Sequence, residues 1–260
     1  MCQVPTDLDD TLYPSETGIA EAVKRNIEGF LIEKCGFSET KASSLRVELF
    51  KAYGSTLAGL RALGYDIGAD DYHGFVHGRL PYDLIKPDPQ LRNLLCSITQ
   101  RKIVRHQQRY DSHNYYEPNH AITCLKRLEI ADCFDQIICF ETMNPNLSKA
   151  TRPDEFPVLL KPSMDAMKLA LHVANVDPRH ALFLDDNIKN VTAGKALGLR
   201  TVLVGKTVNV GEADYALENV NNLPQVVPEI WVSQSDDGDQ RISRTRSELE
   251  SILTTTPVGA

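Results

Sequence analysis

The chain has no uninterrupted apolar run near the roughly 20 residues that span a bilayer. It also lacks a basic opening followed by an apolar segment. The expectation is a soluble protein with no signal peptide and no membrane partner, located in the cytoplasm, with the nucleus left open. Positive charge is not in excess: the formal net charge is −7 over 260 residues. A nucleic-acid partner would need a basic face, so none is expected. Small anionic ligands need only a few local cations and stay open. No C-x-x-C pair occurs among Cys2, Cys35, Cys96, Cys124, Cys133 and Cys139. That argues against a zinc site and for reduced, mostly buried thiols. No internal repeat is present, which excludes a solenoid.

What the chain does have is clustered acid. Asp7-Leu8-Asp9-Asp10-Thr11-Leu12-Tyr13 sets carboxylates close together before a turn through Pro14. A second pair, Asp185-Asp186, follows the apolar run Ala181–Leu184. Crowded carboxylates at a strand end call for a cation to offset their repulsion. Hard oxygen ligands suit Mg²⁺. Two such clusters on two strands predict one metal site built from both ends of the chain.

Residues 15–89 read as helical throughout. Ile19, Ala22, Val23, Ile27, Phe30 and Leu31 recur at helical spacing; Leu45, Leu49 and Tyr53 mark a second helix, stopping at Gly54. Leu57, Leu60 and Leu63 mark a third; Tyr72, Phe75 and Val76 a fourth. Asp88-Pro89 then opens another helix as N-cap and first-turn proline. Strands are expected at 102–104, 136–140, 181–184 and 201–204, alternating with helices at 122–128, 163–174 and 191–197. That alternation predicts an α/β fold with a parallel sheet covered on both faces. Functional groups should then collect at the carboxyl ends of the strands. The polar tail, 233–260, reads as disordered.

Asp7, Asp9 and Thr11 in D-x-D-x-T, Lys161 in Leu160-Lys161-Pro162-Ser163, and Asp185-Asp186 after a strand occur in the order found in haloacid dehalogenase-like (HAD) hydrolases. The segments Tyr53–Tyr65, His77–Pro87 and Ala213–Glu218 further resemble the plant and fungal pyrimidine 5′-nucleotidase branch. The resemblance implies a three-layer Rossmann-like core (1–14 and 90–232) with an inserted helical cap (15–89). It implies a Mg²⁺-dependent phosphomonoester hydrolase acting on a nucleoside monophosphate through an aspartyl-phosphate on Asp7. Asp9 would be general acid and base, and Lys161 a charge beside the phosphate. The metal set would be Asp7, Asp9, Asp186 and Asp185, with Asn190 in an outer position. Thr11, Lys161, Tyr53, Ser55, Thr56 and Arg79 are the substrate-binding candidates, with Thr11 better suited to shaping the turn. His73, His77 and Tyr82 join the cap residues that could read a base or sugar. Dehalogenases lack the acid/base Asp, so Asp9 favours phosphate esters over carbon–halogen cleavage.

The chain departs from that pattern twice. Its opening, Met1–Thr6, is short, and Pro5 removes a ladder donor where relatives have a central strand. After Val104, relatives carry Thr or Ser followed by Asn; here the chain runs Arg105-His106-Gln107, and Ser112 is misplaced for a strand tip. Losing one preorganised donor costs on the order of 10²–10³ in kcat. Both departures read as replaced blocks, as in an alternative splice product or a faulty gene model. The alternative function is therefore a catalytically impaired or inactive phosphate- or nucleotide-binding protein on the same fold.

Overall fold

The computed structural model describes residues 3–53, 55–105, 120–138, 143, 159, 161–207 and 211–231. Gly54, the replaced block 106–118, the end of the strand expected at 136–140, Leu160 and the tail 233–260 lie outside the described residues.

Six parallel strands form one sheet: β1 (Gln3–Asp7), β2 (Arg101–Arg105), β3 (Gln136–Ile138), β4 (Leu182–Asp185), β5 (Arg200–Val204) and β6 (Tyr215–Leu217), in the order β3-β2-β1-β4-β5-β6. The strand order reverses between β1 and β4, and such a switch point opens a crevice at the carboxyl ends of the two strands. Asp7 closes β1 and Asp185 closes β4, so the two acidic clusters meet there.

The unpromising opening segment is thus the centre of the sheet. It pairs continuously with β2, from Gln3↔Arg101 to Asp7↔Arg105. Toward β4 the pairing is interrupted: Gln3 bridges Ala181 and Thr6 pairs Leu184, with no ladder at Val4 and Pro5. The missing proline N–H therefore falls on the β4 side, where the ladder has its gap. Val4, Pro5 and Thr6 are all buried, which offsets part of the loss. Replacing Pro5 by Val restores a donor at similar volume. It should raise stability by about 0.5–1.5 kcal/mol in urea unfolding; a lower midpoint would show that no acceptor waits there.

Side-chain alternation gives the sheet two apolar faces. Val4, Val104, Leu182, Leu184 and Val202 pack against α5 (Pro89–Ser97) and α6 (His120–Arg127). Ile103, Ile138 and Phe183 pack against α7 (Met164–Val173) and α8 (Ile188–Ala196). Between β1 and α5 the chain forms α1 (Ile19–Glu33), α2 (Glu39–Tyr53), α3 (Thr56–Ala62) and α4 (Ala69–Val76). These helices have their own core of Phe30, Leu31, Leu45, Leu49, Leu57, Leu60, Tyr72 and Phe75. Phe30 anchors it, edge-on to Tyr72 and Phe75 at 4.9 and 5.5 Å. Local chemistry sets two helix starts: Ser55 accepts from the Ala58 N–H, and Asp88 accepts from the N–H groups of Gln90 and Leu91.

Candidate active site

Lys161 joins the two acidic clusters. Its Nζ donates to Asp7 Oδ1 at 2.7 Å and to Asp185 Oδ2 at 2.9 Å. All three side chains are buried, Asp185 completely. Asp185 is otherwise fully engaged, accepting from Asn190 Nδ2 at 2.9 and 3.1 Å and from the Asn187 N–H at 2.9 Å. Asn187 also caps α8, so the helix start and the carboxylate brace each other. Thr11 sits in the turn after β1, its hydroxyl accepting from the Asp186 N–H at 3.1 Å and facing Asp186 Oδ1 at 3.5 Å. It ties one acidic loop to the other. Asp10 makes that turn with φ +55°, a conformation that Asp tolerates better than most residues.

Asp9 is held from two sides. The Tyr13 hydroxyl donates to Asp9 Oδ1 at 2.5 Å, and His120 Nε2 lies 3.0 Å from the same oxygen. His120 Nδ1 lies 2.8 Å from the Tyr82 hydroxyl. Sequence reasoning missed Tyr13 and His120 as site residues. His120 is 111 positions from Asp9, and no spacing rule could couple them.

A cavity of about 600 Å³ opens over these groups, lined by Asp7, Asp9, Asp10, Asp186, Lys161 and Lys189 from the sheet side. Ser55, Thr56, Tyr72, His73 and His77 line it from the helical side. Small-molecule sites are typically about 300–1,000 Å³. Tyr53 and Arg79 are not among the lining residues. Tyr53 is half-exposed at the end of α2, and Arg79 stacks on the Phe75 ring with Glu33 3.9 Å away. His73 and His77 stack, their Nδ1 atoms 3.3 Å apart.

The electrostatics are those of an acid-heavy pocket. Burial lifts the Asp7 carboxyl to about 8, with Lys161 pulling it back and Asp185 adding to the rise. Burial, reinforced by neighbouring carboxylates, lifts both Asp10 and Asp186 to about 6. Burial works against the Lys161 cation, but Asp185 and Asp7 outweigh it and hold the ammonium charged above its usual range. Two observations fit a divalent cation. Carboxylate oxygens of Asp7, Asp185 and Asp186 come within 4.8 Å of one another, an all-oxygen set that suits Mg²⁺. Asp10 Oδ1 is buried with no hydrogen-bond partner among the described residues.

Arg105 occupies the tip of β2, beside Asp7 in register. Its guanidinium is buried, rests against the Met167 thioether and has the Ala166 carbonyl 3.5 Å away. Burial pulls it down to about 10, against the field of Asp7 and Asp185. No hydroxyl stands at this strand end among the described residues.

A family model described as haloacid dehalogenase-like hydrolase matches residues 6–198. Phosphate metabolism protein 8 of Saccharomyces cerevisiae is 29% identical over 217 residues, covering 83% of this chain. The chain spans about 63% of the length of that relative. A HAD phosphatase from Thermococcus onnurineus shares the fold with a TM-score of 0.54 at 18% identity, over 86% of this chain and 97% of its own. The HAD-hydrolase YfnB from Bacillus subtilis, bound to magnesium, does so with a TM-score of 0.51 at 15% identity, over 86% and 97%. At such identities the structures speak to fold alone. The family match spans most of the chain and takes in both acidic clusters and the lysine between them, and the chain belongs to the haloacid dehalogenase-like hydrolases.

Proposed function

We propose that this chain is a Mg²⁺-dependent phosphomonoester hydrolase acting on a nucleoside 5′-monophosphate. The observation that carries the reading is Lys161 bridging Asp7 and Asp185 on the floor of a small-molecule cavity, with Asp186 beside them. The magnesium in the Bacillus subtilis hydrolase supports the choice of cation. The choice of a pyrimidine nucleotide rests on the resembling segments alone.

In this reading an Asp7 carboxylate oxygen attacks phosphorus and forms an aspartyl-phosphate as the ester oxygen departs. Asp9, fixed by Tyr13 and His120, gives its proton to that leaving oxygen, then takes one from the water that cleaves the acyl phosphate. Lys161 holds Asp7 in line and offers positive charge to a phosphoryl oxygen. Mg²⁺, held by Asp7, the Asp9 backbone carbonyl and Asp186 with Asp185 behind, would neutralise phosphoryl charge so that an anionic nucleophile can approach. Residues 15–89 act as a cap over the cavity, with Ser55 and Thr56 placed to meet the sugar or base.

One observation favours the second reading, a binding protein with impaired turnover: β2 ends in Arg105 turned toward Met167. Phosphate release from uridine 5′-monophosphate and from an aryl phosphate, with Mg²⁺ or with EDTA, separates the two. Release that needs Mg²⁺ and stops with EDTA is expected. A folded, Mg²⁺-binding sample that releases none would favour the binding protein.

A further inference from the structure

We propose that the side chains of Asp9, His120 and Cys124 form a second cation site, selective for a thiophilic divalent ion such as Zn²⁺; its side-chain ligands differ from Asp7, Asp185 and Asp186, and it meets the proposed Mg²⁺ site only at Asp9, whose backbone carbonyl serves that ion. His120 and Cys124 are four residues apart on α6 and so share one face of the helix. Cys124 Sγ lies 3.5 Å from His120 Nε2, and Asp9 Oδ1 lies 3.0 Å from that same nitrogen. One ligand atom from each of the three residues falls within a common 4.8 Å. Ligands on a tetrahedral zinc with arms of about 2.0–2.3 Å sit about 3.3–3.7 Å from each other. Two of the three ligand separations are therefore within a few tenths of an ångström of that range, and the third, between Asp9 and Cys124, lies within 4.8 Å.

The donor types set the choice of ion. Sulfur, imidazole nitrogen and one carboxylate oxygen suit Zn²⁺ and are poor ligands for Mg²⁺. The second nitrogen of His120 is already engaged, with the Tyr82 hydroxyl 2.8 Å from Nδ1. A hydrogen bond there is what orients a ligating histidine. His120 and Cys124 are fully buried, whereas the Asp9 side chain is 28% exposed and lines the cavity. The ion therefore enters from the cavity past Asp9. Burial raises the Cys124 thiol above its usual range; as a zinc ligand it would bind as the thiolate, with its proton passing to solvent.

The site does not depend on the phosphatase reading; its consequence does. A zinc ion on the Asp9 carboxylate would take that group out of acid/base work, making the site inhibitory. Sequence spacing hides the arrangement, because its third ligand comes from the other side of the cap.

The test is a titration of the full chain with Co²⁺ in excess Mg²⁺, read by absorbance without substrate. One equivalent of Co²⁺ should give a thiolate-to-cobalt charge-transfer band, removed by one equivalent of Zn²⁺ and untouched by Mg²⁺. The band should vanish in Cys124→Ala and in Cys124→Ser, and His120→Gln should weaken Co²⁺ binding at least tenfold. The serine variant keeps the size and a hydroxyl donor should the alanine variant fold poorly. No band at stoichiometric Co²⁺, or a band that survives in both Cys124 variants, would overturn the proposal. Because the band is read without turnover, a protein with no phosphatase activity still tests it.

Discussion

Lys161→Met is expected to destabilise the protein by about 3–5 kcal/mol in urea unfolding without metal, the usual effect of stripping one partner from a buried ion pair. The methionine fills the space of the lysine stem but leaves Asp7 and Asp185 buried without their shared ammonium. Total stability is typically about 5–15 kcal/mol, so the variant should sit near its limit. Mg²⁺ should return part of the loss, since an ion at about 100 times its Kd stabilises by about 2.7 kcal/mol. A change under about 1 kcal/mol, with no response to Mg²⁺, would mean that the lysine is not the charge that holds the two carboxylates together.

Asp7→Asn should behave in the opposite way toward stability and far more severely toward turnover. The amide keeps the shape of the carboxylate and removes a charge that burial disfavours, so the metal-free variant should melt above the parent. Lys161 keeps Asp185 as its partner. Phosphate release should fall on the order of 10³-fold or more, as loss of a nucleophile does in other hydrolases that act through a covalent intermediate. A variant that melts lower, or that keeps a tenth of the activity, would argue that Asp7 is structural and the nucleophile lies elsewhere.

Much of the core was legible because its signals are local. Asp88-Pro89 announced a helix start, and the structure places both residues there. The apolar run before Asp185-Asp186 announced a strand, and β4 ends on the first of those acids. The four helices between β1 and α5 followed from periodicity alone. The centre of the sheet was harder to read. Gln3–Asp7 has little strand character, and it is held there by pairing with β2 and by burial, a tertiary effect that outweighs a weak local preference. The partners of Asp9 were not legible at all. Tyr13 reads as the end of the acidic run and His120 as lying just before the helix expected from Ile122; only folding brings both onto one carboxylate oxygen. Likewise, Tyr53 and Arg79 carry chemistry that suits a ligand, yet one ends a helix and the other packs on Phe75.

The most direct test of the central claim is an acid-quenched, single-turnover reaction with uridine 5′-monophosphate and Mg²⁺, followed by peptide mass spectrometry. One phosphoryl group is expected on the peptide that contains Asp7, localised to Asp7, sensitive to hydroxylamine and absent with EDTA. A folded protein that binds Mg²⁺ and hydrolyses the ester while this peptide stays unmodified would contradict it.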